Sequence, residues 1–350
     1  MIVYLGIFFV AAFFSVALPG RQLNWLLALM FGIFLVFFAG TRYYVGCDYV
    51  GYLLRFERID SFWSWAELFA REEPGFNGLM SAVKNSGIDY GGFILVMSSI
   101  YVFCMLRFSS LALSPLKFLV LALPVLMIQL GMSGMRQAMA LGFLMLSFVS
   151  FTNEKKVMTA IWVIVAAQFH TSAIVFLPMA FLAGKHLSLK RILAGLIVMG
   201  PIVIFLIQDR IGVYSDRYIE QIHGENSASG AWFRYALVLL PFIMLAIWYR
   251  QVEERFPRHI ELLRLFMLIT FFLAPVGFLS SVALHRLVFY VMPISIITLL
   301  CVTDTLAYIS RYRLFPLSFP FIMYGAYILV WFSFSSKASS CYVPYQSWLL

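Results

Sequence analysis

"VMTAIWVIVAAQFHTSAIVFLPMAFLA" fills positions 157–183 and decides how the rest of the chain is threaded. The stretch has 27 residues and no Asp, Glu, Lys or Arg. That is long enough for one tilted membrane helix. Basic residues stand at both ends, however: Lys155 and Lys156 before it, then Lys185, Lys190 and Arg191 after it. A single crossing would put these clusters on opposite faces of a membrane. Two short half-helices meeting at Gln168-Phe169-His170-Thr171 return the chain to the face it left. Polar backbone at membrane depth is tolerated where protein buries it or it lines a cavity. A re-entrant hairpin is therefore expected here.

The composition around the hairpin supports a lipid solvent. Of 350 residues 63% are hydrophobic and 12% charged, against about 25% charged in a soluble domain. The fold class read from this is all-α, a polytopic integral membrane helix bundle. Apolar segments run roughly over 2–19, 23–40, 91–106, 118–130, 137–151, 157–168, 172–183, 192–208, 235–249, 265–284, 287–303 and 317–334. Ten to twelve transmembrane segments are expected, some of them short half-helices. All 350 residues are read as one membrane domain with no separate soluble part. The first segment has no basic residue ahead of it and no small-residue cleavage site, so it is read as a retained helix.

The net charge is +9. In a soluble protein this would suggest nucleic acid; here the positive-inside rule accounts for it and no nucleic-acid partner is expected. With twelve segments, alternate loops hold 14 basic and five acidic residues on one face, and 11 of each on the other. The whole excess falls on one side, which is read as cytoplasmic, and both termini then lie outside.

On the outer face this leaves two long loops, residues 41–90 and 209–234. The first opens with "TRYYVGCDYVGYLLRFERID" and continues through the amphipathic "SFWSWAELFA", which suits a helix at headgroup level, to "REEPGFNGL". Three short outer stretches, 131–136, 168–171 and 285–286, carry Arg136, His170, His285 and Arg286, with Gln137 following the first of them. Ionisable groups at such depth are costly and are functional candidates by default. A snorkelling arginine or an interhelical hydrogen bond is the plainer alternative for each one alone. Arg42, Arg136, His170 and Arg286 together on one face imply a cationic cavity for an anionic ligand.

At these residues the chain resembles the EpsG-like family of polysaccharide polymerases, within the wider group that includes Wzy O-antigen polymerases. The resemblance rests on "RYYVGCDYVGY", "EEPGFNGL", "SGMRQAMA", "FHTSAIVFLP" and "RLVFYVMP", in order over most of the chain. One departure is Cys47, where the family pattern has a small polar residue. The resemblance implies a glycosyltransferase of the bacterial inner membrane, with its active site facing the periplasm. Its donor would be a growing glycan on undecaprenyl pyrophosphate, its acceptor a single repeat unit on the same carrier. A chain-length-regulating co-polymerase and a flippase are the protein partners the family implies, beside membrane lipid.

That chemistry suits the charged face. Lipid pyrophosphate is already a good leaving group, so fixed positive charge matters more than a strong acid. Arginine binds phosphate oxygens bidentately and stays charged. Arg42, Arg136 and Arg286 are assigned to pyrophosphate, with Arg217 and Arg234 from the second long loop. The acceptor hydroxyl needs a base within hydrogen-bond reach. His170, Asp48 and Glu73 are the candidates, with His170 preferred and the carboxylates orienting the acceptor. Glu73 has a plainer reading as a helix N-terminal carboxylate, because Pro74 follows it. Tyr49, Gln137 and Tyr290 are expected to contact sugar. No Asp-x-Asp pair or dense His/Cys/acid cluster is visible, so no metal and no cofactor are expected, and direct displacement from the pyrophosphate would invert the anomeric centre.

Two other readings exist. A lipid-linked oligosaccharide flippase would also want a cationic cavity, but would predict paired internal repeats, which are not evident. Gly131-Met132-Ser133-Gly134 matches the nucleophile motif of rhomboid-like intramembrane serine proteases, with His170 as partner, but leaves Arg136-Gln137 unexplained. Cys47 and Cys341 are both external in this topology. A disulfide between them is one reading, and a free, partly buried Cys47 is the default.

Overall fold

A backbone in lipid must satisfy its own polar groups, and a helix does so locally. The computed structural model is accordingly helical, and it describes residues 1–17, 21–59, 67, 72–184, 190 and 230–349. In chain order the helices are α1 Ile2–Ala17, α2 Arg21–Gly40, α3 Tyr49–Arg58, α4 Pro74–Asn85, α5 Tyr90–Ser109, α6 Pro115–Ala122, α7 Met135–Thr152, α8 Lys156–Phe169 and α9 Pro178–Leu182. After the undescribed stretch come α10 Ala231–Ile247, α11 Tyr249–Arg255, α12 Ile260–Leu279, α13 Ser281–Ile309, α14 Leu314–Phe334 and α15 Ser336–Tyr342.

Six of these, α2, α5, α7, α12, α13 and α14, are long and apolar enough to cross a membrane, and the α10–α11 pair, bent by 86°, makes a seventh. Four shorter apolar helices, Ile2–Ala17, Pro115–Gly131, Lys156–Phe169 and Thr171–Leu182, account for four more of the expected segments. The segment at 192–208, the amphipathic patch and most of the second long loop, Arg217 included, lie outside the described residues.

The bundle is organised around α13, in which every residue from Val288 to Thr303 is buried. Its polar residues are satisfied without water: the Ser295 hydroxyl donates to the Val238 carbonyl of α10 at 2.9 Å, and Thr298, Thr303 and Thr305 donate to carbonyls one turn back. Ahead of it in the chain, α6 runs into a π-helix over Leu123–Gly131. Pro124 has no N–H to give that turn, and the Tyr101 hydroxyl donates to the Leu126 carbonyl at 3.2 Å.

The hairpin at 157–183 forms as the flanking charges require. A Cβ built on Gly184 would lie 3.3 Å from the Cβ of Glu154, so the segment ends where it began. Its first arm, α8, has 14 residues. At 1.5 Å per residue it rises about 21 Å, short of a hydrocarbon core of about 30 Å. His170 follows its last residue, at the turn of the hairpin.

The loops sort to two ends as the alternation of charge predicts. One end joins Lys117 to Asp304 at 3.8 Å and sets Arg255 over the Tyr308 ring at 4.3 Å. At the other end the Tyr4 hydroxyl donates to the Tyr342 carbonyl at 2.8 Å, so both chain ends lie together.

Three residues expected in loops are helical instead. The apolar segment at 265–284 breaks at Ser280, whose side chain caps α13 by accepting from the Ala283 N–H at 3.2 Å. His285 and Arg286 therefore sit in the first turns of α13, not in a connecting loop. Arg234 belongs to the first turn of α10, not to the second long loop.

Candidate functional site

The loop after α2 is pinned by the end of the chain. Cys47 and Cys341 form a disulfide with their Cα atoms 4.9 Å apart, so the free-thiol default for Cys47 is corrected. Around it Gly46 N–H donates to the Cys341 carbonyl at 2.7 Å, Tyr43 N–H to the Gln346 carbonyl at 2.9 Å, and Trp348 N–H to the Thr41 carbonyl at 3.0 Å. Gly46 has φ +107, and a Cβ there would lie 2.0 Å from the Met132 carbonyl oxygen, so only glycine fits. Ser133 Oγ shares a hydrogen with the Tyr342 hydroxyl at 2.6 Å and accepts from Cys47 N–H at 2.9 Å. Ser133 is thus a clasp for this loop, and His170 pairs elsewhere, so the geometry builds no serine–histidine dyad.

Arg42, expected at the pyrophosphate, is 1% exposed. Its guanidinium donates to the carbonyls of Ala39 and Val45, at 2.5 and 3.1 Å. A turn of two free carbonyls at the C-terminus of α2 draws the cation inward. It braces the loop through these two bonds, and its third nitrogen, Nη2, is buried without a hydrogen-bond partner.

Glu73 is the centre of the end of the bundle where this loop lies. Its backbone is left-handed, φ 55 and ψ 61, although it is not glycine, and it precedes Pro74 at the first position of α4. Such a conformation costs on the order of 1–3 kcal/mol and clusters at functional sites. The side chain makes no capping bond. Instead Oε2 accepts from Arg136 Nη1 at 2.6 Å, and Oε1 meets His170 Nδ1 at 2.6 Å. The carboxylate is 5% exposed, His170 14% and Arg136 34%, so the acid is the buried hub and the cation reaches outward. Arg136 Nε also donates to the Tyr52 hydroxyl at 3.4 Å.

The surrounding residues hold this hub in place. Arg55 donates to Asn77 Oδ1 at 2.7 Å, and Asn77 Nδ2 donates to the Glu72 carbonyl at 2.6 Å, fixing the backbone just before Glu73. Gly75 lets α4 approach the end of α8: a Cβ there would lie 2.7 Å from Gln168 Cβ. Gly75→Ala is expected to push these elements apart and to lower activity at least tenfold with little change in melting temperature, read by assay and thermal melt of the same preparation.

Burial alone would raise the Glu73 carboxyl, but the hydrogen bond from His170 and the Arg136 charge outweigh it and hold the carboxyl below its usual 4.5. A depressed folded value adds stability that is present above the unfolded value and lost as pH falls through the folded one. Melting temperatures of wild type and Glu73→Gln should therefore differ above pH 4.5 and converge in stronger acid.

An ionised carboxylate only accepts, so it fixes the proton of neutral His170 on Nδ1. Nε2 then carries the lone pair. The arrangement can serve chemically as a base with an orienting acid, beside a cation.

The remaining expected residues fall around this hub. Asp48 is exposed at the start of α3, with Arg136 and Lys337 as the cations acting on it, and it does not join the Glu73 pair. Gln137 donates to the Arg286 carbonyl at 2.7 Å and so ties α7 to α13. The other two expected sugar contacts are packing residues. Tyr49 is 5% exposed among Tyr44 and Tyr90, and Tyr290 is fully buried with its hydroxyl on Ser172 at 2.8 Å. Arg234 Nη1 meets the ring of His285, and its guanidinium lies over Phe289 at 5.4 Å. Tyr52, Arg55 and Asn77 were not foreseen as supports. Their only sequence signal is proximity to Glu73 and to the opening cassette.

Comparison of the chain with curated proteins and with solved structures finds no match to either. A family comparison does match, over residues 25–347, from α2 through the segment after α15 and so across the whole of the site just described. The chain belongs to the EpsG family, membrane proteins linked to polysaccharide biosynthesis.

Proposed function

We propose that this EpsG-family protein is a polysaccharide polymerase that joins undecaprenyl-pyrophosphate-linked repeat units into O-antigen or a related polymer. The observation that carries the reading is the Glu73–His170 pair with Arg136 beside it, at 2.6 Å on each side of the acid. His170 Nε2 takes the proton of the acceptor sugar hydroxyl. The hydroxyl oxygen bonds to the anomeric carbon of the donor glycan, and the bond from that carbon to the pyrophosphate oxygen breaks. The electron pair leaves with the lipid pyrophosphate. One displacement inverts the anomeric centre and calls for no metal. Arg136 and Arg286 stabilise charge developing on the leaving group. Burial of the hub among α4, α7 and α8 keeps water from competing with the acceptor.

The charge distribution supports a periplasmic site in a bacterial inner membrane, because the basic excess lies at the opposite end of the bundle. A disulfide at the site end is at home in the same oxidising compartment. The test is complementation of a polymerase-deficient strain, with the surface glycan read as a ladder on a gel. Wild type is expected to restore the ladder. His170→Ala and Arg136→Ala, expressed equally, are expected to leave single repeat units. Wild type that restores only the export of single units would instead favour a flippase.

A further inference from the structure

Next to the Glu73 hub lies a second polar cluster with a different character. Gln129 and Arg234 are each 9% exposed, and the Nε2 of the first and the Nε of the second have no hydrogen-bond partner. The Tyr327 hydroxyl donates to Gln129 Oε1 at 2.9 Å and is also within reach of the Arg234 guanidinium. Two orphaned N–H donors thus flank one hydroxyl, in a wall made by the π-helix, α10, α13 and α14. Among the described residues no carboxylate pairs with Arg234. Among the described residues its hydrogen-bond neighbour besides Tyr327 is His285, a ring that offers a single lone pair.

Buried donors left without acceptors cost about 1–3 kcal/mol each, more for a charged group. Both side chains meet the Tyr327 hydroxyl, and the chemistry of the open donors specifies what suits them: a group with several acceptor oxygens and negative charge. A phosphate oxyanion meets both requirements, and a neutral sugar does not. The spot is also continuous with the acid–base hub. Arg136 and Gln137 are neighbours, Gln137 donates to the Arg286 carbonyl, and His285 before it meets Arg234. One side therefore holds a carboxylate and a base, and the other holds a cation and an amide donor with no carboxylate among the described residues.

We propose that Arg234, Gln129 and Tyr327 form the seat of a diphosphate headgroup, and that the Glu73–His170 side receives the hydroxyl-bearing partner. The proposal rests on the polymerase reading for the identity of the lipid, but not for the chemistry of the seat. It adds a second set of donors for the diphosphate to Arg136, whose Nη1 is already held by Glu73.

The test uses the full chain in phosphatidylcholine nanodiscs with farnesyl diphosphate as probe. Farnesol, inorganic pyrophosphate and phosphatidylglycerol are the comparisons. Farnesyl diphosphate is expected to bind at least tenfold tighter than each of them. Gln129→Glu places a carboxylate among the orphaned donors and is expected to weaken the probe at least tenfold while melting no lower than wild type. Arg234→Gln is expected to weaken it similarly. Unchanged affinity in Gln129→Glu overturns the seat, as does farnesol binding equal to the diphosphate. Equal binding of phosphatidylglycerol overturns its selectivity for a diphosphate, and equal binding of inorganic pyrophosphate overturns its assignment to a lipid. His170→Ala is expected to bind the probe as wild type does. Probe binding that depends on Gln129 and Arg234, in a protein that makes no polymer, keeps the seat and sinks the polymerase reading. Polymer formation with normal probe binding in both variants sinks the seat alone.

Discussion

Glu73→Gln is expected to lower polymerisation on the order of 10³-fold while leaving a folded protein. The substitution is nearly isosteric, so the α4–α8 contact through Gly75 stays intact. What changes is the hydrogen bond to His170 Nδ1, now 2.6 Å from a carboxylate oxygen. A carboxylate accepts only, and so holds the imidazole proton on Nδ1. A carboxamide can donate its N–H instead, which moves the proton to Nε2 and removes the lone pair that would take the acceptor's proton. Arg136 also loses its counter-charge, but at 34% exposure water can replace much of it. The defect should therefore fall on kcat more than on KM, because geometry and anion binding persist. Glu73→Ala would be a poorer test, since it leaves a buried cation and a strained turn without their shared partner.

A double variant separates orientation from bulk stability. If Glu73 acts through His170, then Glu73→Gln added to His170→Ala should cost little beyond His170→Ala alone. Fully additive losses would mean that Glu73 works independently, as a second base or as a plain structural anchor. A Glu73→Gln enzyme with unimpaired turnover would end the dyad assignment, whatever its melting temperature.

The parts of this structure legible in the sequence were those governed by solvent and charge. Lys155 and Lys156 at one end of 157–183, and Lys185, Lys190 and Arg191 at the other, forced a hairpin because one crossing would have split them. Arg136 and His170 were legible as members of one charged face, read together with Arg42 and Arg286, because ionisable residues at helix breaks on one face have few structural uses, and Glu73 was legible only as one of three candidate bases. Their roles were not. Whether Glu73 caps α4 or points away from it depends on a single φ, and periodicity does not report that angle. Arg42 was misassigned because exposure at the end of a helix depends on which carbonyls lie free nearby, a tertiary matter. Gln129 escaped notice because it sits inside an apolar segment whose pattern reads as packing, and its side-chain partner, Tyr327, lies 198 residues away in the chain.

Removing the Cys47–Cys341 bond, by Cys47→Ser, Cys341→Ser or reductant, is expected to lower stability by about 2–4 kcal/mol. It is also expected to loosen the loop between α2 and α3 that carries Asp48. The bond closes 294 residues, yet the helices between are themselves anchored in lipid, so the pure loop-entropy figure overstates the effect. Three backbone hydrogen bonds from Tyr43, Gly46 and Trp348 remain to hold the strap. At about 1 kcal/mol each they are comparable to the bond that is lost. The loop should therefore stay docked in the cold and detach on heating, giving a lower melting temperature with a partial loss of activity near 25 °C. Either single variant should match the double one, because each already removes the whole bond. The same cysteines report which way the site faces. In intact cells, a membrane-impermeant maleimide is expected to label Cys341 in Cys47→Ser and to leave unreduced wild type unlabelled there. Labelling of that cysteine only after the membrane is breached would place the site end in the cytoplasm. A lipid-linked donor would then have to be consumed before export, and the positive-inside count that orients the bundle would be inverted for this protein.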